Sequence, residues 1–298
     1  MHRTASAVPK LTNEELHRRL TAFNRERLRP GGSEMPWRDG LREEIDHRIV
    51  EGEFVERERE SVREDAKRVP RDPDAFVEWF ESLKETGQGQ GDPLFPWLAE
   101  SAPPGAIRWF LEQEAAGEAG FEDLVALTQV KLPTRAKLEL ARNYWDEMGR
   151  GDERGMHGPM LSRLTTTLEL DTSTERIVWE SLALGNLMTA FGVNRRYAYQ
   201  SAGALGVIEL TAPGRAAAVN RGLKRIGVSG EIRKYFALHA TLDVKHSEAW
   251  NREVLRPLVA QNSELAVPIA EGALLRLRAG ARCFERYRRE LWQLGAVA

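Results

Sequence analysis

A chain of 298 residues with 43 basic and 45 acidic side chains carries a formal net charge of −2, so it lacks the electrostatic footprint of a nucleic-acid binder. Its single cysteine, Cys283, excludes an intrachain disulfide. The length suits one domain, or a helical core with an appended region.

The opening segment has no apolar run of signal-peptide length. Glu180 and Glu209 interrupt the two stretches that come nearest to spanning a membrane. A cytoplasmic setting with no membrane partner is therefore expected.

In chain order, residues 1–10 read as a flexible start. Thr12 and Glu15 form a capping-box pattern that predicts a helix to about Leu28. Residues 30–36 break it. The charge-dense stretch 40–68 predicts a solvated or partner-facing helix. Asp72-Pro73 opens a helix over 74–85 with Phe76, Trp79 and Phe80 on its apolar side. The Gly/Gln-rich run from Gly87 to Gly91 reads as a linker. It divides a helical extension, residues 1–90, from a main domain, residues 91–298; the extension is expected to serve as a dimerisation or lid region, so a homodimer is a further expectation. Helices are then predicted over 105–130, 134–149, 155–169, 174–191, 195–210, 214–226, 229–260 and 263–294, punctuated by Pro133, Pro213 and the Gly227/Gly230 pair. Alternating runs rich in β-branched residues are absent, so the fold class is all-α. The last helix carries Arg276, Arg278, Arg282, Arg286, Arg288 and Arg289, read as a solvated basic face.

The chemistry concentrates in the segment from Tyr235 to His246. His239, Asp243 and His246 stand at offsets of four and three residues, which on a helix places them within about 40° of one another. Ile232, Phe236 and Trp250 continue the same stripe as apolar residues, so the polar trio interrupts a core-facing surface. Buried imidazoles and a carboxylate require partners. A metal ion suits all three at once, and iron, manganese or zinc fits the donor set. Other helices supply further candidates at core positions. Glu209 shares a face with Ala198, Ala202 and Leu205. Glu147 shares one with Leu140, Asn143 and Tyr144. His157 follows Gly149, Gly151 and Gly155, which allow a bend back toward Glu147. Six ligands, oxygen-rich and with open positions, suit two irons better than a closed structural zinc site.

These pieces resemble the haem-oxygenase-like diiron oxidases and oxygenases, the iron-containing redox enzymes. The matching segments are Asn143 to Gly151, His157, Ala204 to Glu209, and His239-x₃-Asp243-x₂-His246, in order over about residues 104–295. The resemblance implies one iron on Glu147, His157 and either His239 or His246, and a second on Glu209, Asp243 and the remaining histidine. Some members of that family use an extra carboxylate from a helix before the first ligand, and here Glu118 and Glu122 are both eligible, with Glu122 in the more apolar company. The implied activity is O₂-dependent oxidation of a small molecule with an external electron donor. N-oxygenation of an amine or amino-acid-like substrate in natural-product biosynthesis is favoured, with oxidative decarboxylation or C–C fragmentation of an amino or fatty acid as the alternative. Arg195 and Arg196 are candidates for binding a substrate carboxylate. A ferritin-like centre would need Glu14-x-x-His17 and Glu44-x-x-His47 on core faces, and both lie in charged segments. A non-catalytic helical adaptor with a structural polar core is the reading from another class.

Overall fold

The computed structural model describes residues 11–31, 35–117 and 120–295; residues 1–10 lie outside them. Helix α1 (Asn13–Leu28) opens on the expected capping box, with the Thr12 hydroxyl accepting from Glu15 N–H and the Glu15 carboxylate from Thr12 N–H. The charged stretch forms α2 (Trp37–Glu60) and α3 (Arg63–Lys67). One face of α2 buries Val50, Phe54 and Val55, while Trp37, Leu41, Ile45 and Ile49 stay exposed. Helix α4 (Pro73–Thr86) starts at Asp72, whose carboxylate accepts from Asp74 and Ala75 N–H.

The glycine run after α4 is a packed turn and not a linker. A Cβ on Gly87 would meet Leu83 O at 2.6 Å and Leu277 Cδ1 at 2.8 Å, and Gly89 holds φ +80° against the Phe284 ring. Residues 1–90 accordingly share the core of the rest: one buried apolar cluster runs from Leu16 in α1 to Leu291 near the C-terminus.

Helices α5 (Leu94–Glu100), α6 (Pro104–Gly117) and α7 (Phe121–Thr128) follow. The expected single helix over 105–130 is thus two, because Gly120 takes φ +68° and turns the chain into α7. After α8 (Thr134–Glu147) and α9 (His157–Thr167), residues 168–178 cross to α10 (Trp179–Val193) in irregular backbone held by side chains. The Gln113 carbonyl accepts from Val178 N–H, and Glu112 from Asp171 N–H.

Helix α11 (Ala198–Arg225) runs straight through Pro213, where a break was expected. The proline deprives only the Glu209 carbonyl of its helical donor. Packing against α5 and against the helices Lys234–Trp250 and Ala266–Gly295 holds the rest of the helix together. Helix α12 (Lys234–Trp250) passes through a π-helical turn, Asn251–Leu255, into α13 (Arg256–Gln261). Helix α14 (Ala266–Gly295) closes the bundle. Helix α11 is the central element and packs most extensively against α12 and α14. No strand occurs among the described residues, so the all-α class holds, and no described helix is long and apolar enough to cross a membrane.

His17 illustrates what the shared core costs. It is buried, stacked on Trp179 and edge-on to Phe54, and burial, with Arg282 and Arg57 nearby, pushes its pKa down to about 3. The folded pKa lies below the unfolded value, so the unfolded chain binds the extra proton. The stability tied to neutral His17 is present above the unfolded pKa and is lost as pH falls toward 3. The slope is about 1.4 kcal/mol per pH unit, or about 2–3 kcal/mol between pH 7 and pH 4.5. His17→Phe is expected to remove that part of the acid sensitivity in urea titrations at the two pH values. An unchanged pH dependence in the variant would exclude His17 as its source.

Candidate metal centre

Helix α8 buries Ala136, Glu139, Leu140, Asn143 and Glu147 along one side, and Glu147 is its last residue. A carboxylate at a helix C-terminus faces the negative end of the dipole, so it needs a cation or a proton. The chain then reverses. Gly149 (φ +61°), Arg150 (φ +55°) and Gly151 (φ +87°) use the left-handed region, and Met148 pairs with Met156 as an isolated bridge. A Cβ on Gly149 would fall 2.4 Å from the Gly155 carbonyl carbon, so only glycine permits this hairpin. Its effect is to start α9 at His157 with the imidazole Nδ1 2.5 Å from Glu147 Oε2.

Two groups of ligand atoms converge on Glu147. Glu147, His157 and His239 form one, and Glu147, Glu209 and His246 the other; within each the atoms lie within 4.8 Å of one another. Glu147 is common to both, which differs from the partition implied by the resemblance, where it served one iron. Asp243 belongs to neither group but is buried and lines the same cavity as Glu147, Glu209 and His239. Glu122 sits beside the start of α9, where a Cβ on Gly158 would meet its Oε1 at 2.7 Å, and its charge acts on both Glu147 and His157. Glu118 lies outside the described residues.

The supporting partners aim the ligands. His239 Nδ1 is 2.8 Å from the Tyr235 carbonyl, which leaves Nε2 for a metal. His246 Nε2 lies 3.3 Å from Asp146 Oδ2 and Nδ1 3.5 Å from Glu209 Oε1, a carboxylate holding the outer nitrogen of a ligating imidazole. The Asn143 amide donates to Glu209 Oε1 at 2.6 Å. Asp146 is not among the residues that the sequence pattern singles out, although Asn143-x-x-Asp146 puts both on one helical face. Tyr144 is only half-buried, and Thr241 points its hydroxyl at the Leu238 carbonyl.

These residues fit a metal. His157 Nδ1 and His246 Nδ1 are buried, each near a carboxylate, yet neither makes a hydrogen bond of good geometry. Burial and the Glu209 charge hold the Glu147 carboxyl well above the usual range. Burial holds His157 and His239 down at about 4, hence neutral and able to ligate. His246 is instead raised to about 9: burial alone would lower it, and Glu209, Asp146 and Glu147 outweigh burial. A multivalent cation would neutralise the carboxylates that now share these protons.

Arg195 and Arg196 are elsewhere. Arg195 donates to the carbonyls of Leu127, Thr128 and Val130 and so closes the C-terminus of α7. Arg196 pairs with Glu56. Neither lines the cavity beside the ligands.

A helical bundle with glutamates and histidines facing inward from α8, α9, α11 and α12 is a scaffold on which carboxylate–histidine metal sites are built. A family model described as iron-containing redox enzyme matches residues 108–281, more than half of the sequence, and the chain belongs to that family. It is an oxidoreductase by that membership, and the Glu/His cluster fits iron. A solved structure from Shewanella denitrificans OS217, a domain of unknown function with a heme oxygenase-like fold, is similar over 74% of this chain and 93% of that one. The TM-score is 0.51 at 14% identity, which supports the fold alone. No curated protein matches the chain.

Proposed function

We propose that the protein is a non-haem diiron oxygenase that uses O₂ to oxidise a small amine or amino-acid-like substrate, with N-oxygenation as the reaction. The observation that carries this reading is Glu147, a single buried carboxylate common to two groups of ligand atoms, which would let one side chain serve two irons held by those groups. Bound iron would supply O₂ activation and electron transfer. The overall change is R–NH₂ + O₂ + two electrons + two protons giving R–NHOH + H₂O, with the electrons from an external donor.

The chain's own residues set the conditions. His239 and His246 ride on one rigid helix, while His157 depends on the glycine hairpin. Asn143 and Asp146 fix the outer sides of Glu209 and His246. The cavity beside Glu147, Glu209, His239 and Asp243 has Phe95, Phe110, Phe121, Phe236 and Phe284 in its walls and would offer a substrate a largely apolar surface.

The test is Fe(II) stoichiometry per chain after anaerobic reconstitution, then absorbance on a millisecond scale after mixing with O₂, for the wild type and Asp243→Ala. About two irons per chain and a transient visible band, both diminished in the variant, are expected. No iron above background, and no difference between the two proteins, would instead favour the non-catalytic helical adaptor.

A further inference from the structure

Glu209 stands between two cavities. One is the phenylalanine-walled cavity beside Glu147, His239 and Asp243, which Arg215 and Arg276 also line. The other is a groove of about 220 Å³ formed by α4, α11 and α12. Glu209 is only 2% exposed, yet it lines both. The α12 side of the groove follows from helical spacing. Val244, Ser247, Glu248 and Asn251 recur at i, i+3, i+4 and i+7 and so share one face. Ser247 directly follows the ligand His246, which places that face beside the ligand-bearing one. Helix α4 closes the groove with Glu81 and Lys84.

The groove is lined with oxygen from its outer end inward. Glu81, Lys84 and Glu248 are exposed, two carboxylates to one ammonium, while Ser247 and Asn251 are buried. The Asn251 amide donates to Glu81 Oε1 at 3.1 Å. Its Oδ1, on a residue 4% exposed, has no hydrogen-bond partner among the described residues. A buried amide oxygen in that position calls for a donor or a cation. Asn251 also opens the π-helical turn, a local widening frequent at functional sites. Pro213 adds one more oxygen. A helical carbonyl is directed at the residue four positions on, and for Glu209 that residue is Pro213, which brings no N–H and lines the groove. The Glu209 carbonyl is therefore aimed at the groove wall without its usual donor.

Carboxylate, amide and carbonyl oxygens in succession are the donors for which a hydrated divalent cation exchanges its water. Phenyl walls offer no such exchange, and stripping water from a dication without replacement is costly. We infer that this groove is the entrance by which divalent metal reaches the ligand cluster, passing Glu248 and Glu81, then Asn251 and Ser247, to Glu209. The phenylalanine cavity is then left to the substrate. The inference rests on the diiron reading for the destination of the ion.

The test mixes the metal-free full chain with Co(II) in a stopped-flow instrument. The ligand-field absorbance of the ion reports its arrival at nitrogen and carboxylate donors. Final Co(II) and Fe(II) stoichiometries are measured separately at equilibrium. Glu248→Lys is expected to slow uptake about tenfold and Lys84→Met to speed it about threefold, the scale of charge steering at a cleft. Final stoichiometry should be unchanged in both, and high salt should shrink both effects. Asn251→Leu should slow uptake at every salt concentration. The two charge variants change exposed side chains and read out the route if Asn251→Leu fails to fold. An acceleration in Lys84→Met separates an entrance from a structural role, since damage to the fold has no reason to speed uptake. Equal uptake rates in the wild type and all three variants, at full occupancy, would overturn the inference. One ion per chain with the expected pattern of rates would remove the diiron reading and keep the entrance. No bound metal in any of the proteins would remove both.

Discussion

Glu147→Ala is expected to abolish iron loading at both positions, whereas His157→Ala or Glu209→Ala should each deplete one. The asymmetry follows from geometry, since Glu147 alone belongs to both ligand groups. The loss should exceed the roughly 10- to 100-fold that removing a supporting partner of a ligand costs. A second, opposite effect separates a ligand from a merely structural carboxylate. In the metal-free protein, burial and Glu209 raise the Glu147 pKa well above normal. A carboxyl with a raised folded pKa destabilises the fold above its unfolded pKa, because folding must then either take up a proton or bury a charge. Glu147→Gln should therefore stabilise the metal-free chain at pH 7, by on the order of 1 kcal/mol, and the gain should vanish below about pH 4. Iron titration and thermal unfolding at the two pH values check both parts. A Glu147→Gln variant that is less stable than wild type without metal, or that still loads both irons, would contradict the assignment.

Much of this centre is legible in the sequence because its ligands interrupt apolar stripes. His239, Asp243 and His246 break a helical core face, and Glu209 stands among alanines, so the spacing of apolar residues alone implies their burial. The glycines before His157 mark the reversal that brings it to Glu147. Asp146 is hidden by its neighbour, since two adjacent acids on a helix point about 100° apart and only one joins the obvious face. Arg276 is hidden by company. Among six arginines on α14, sequence spacing does not reveal which one meets a cavity wall; only the packing of α6 and α11 against α14 does. The same limit applies to the helix breaks. Pro213 is a strong local stop, but it sits where surrounding helices outweigh a single lost hydrogen bond. Gly120 has no such support and turns the chain. The Gly87–Gly91 segment has the composition of a linker, yet Leu277 and Phe284 press against it, a contact made by residues almost two hundred positions away.

Gly272→Ala is expected to destabilise the fold by more than about 4 kcal/mol, a value reached only where packing is directly broken. A Cβ on Gly272 would lie 1.9 Å from the Gln200 carbonyl oxygen, and a Cβ on Gly203 would lie 1.9 Å from the Ile269 carbonyl oxygen. Each glycine thus meets the carbonyl three residues before the other, and α11 and α14 cross with their backbones in contact. The clashing atoms are backbone on both sides, so no rotamer change relieves them and the helices must separate by more than an ångström to restore an ordinary contact near 3.5 Å. That crossing lies six residues before Glu209 on α11 and four before Arg276 on α14, so separation there would also disturb the cavity that both residues line. The internal control is Gly52 in α2, where an added Cβ meets nothing within 4 Å. Gly52→Ala should stabilise by about 0.5–1 kcal/mol through helix propensity alone. The same one-carbon change therefore carries opposite signs at two helical glycines, and denaturant titration of the two variants reads the difference. A Gly272→Ala protein as stable as wild type would mean that α11 and α14 do not cross this closely, and the register linking Glu209, Arg215 and Arg276 around one cavity would fall with it.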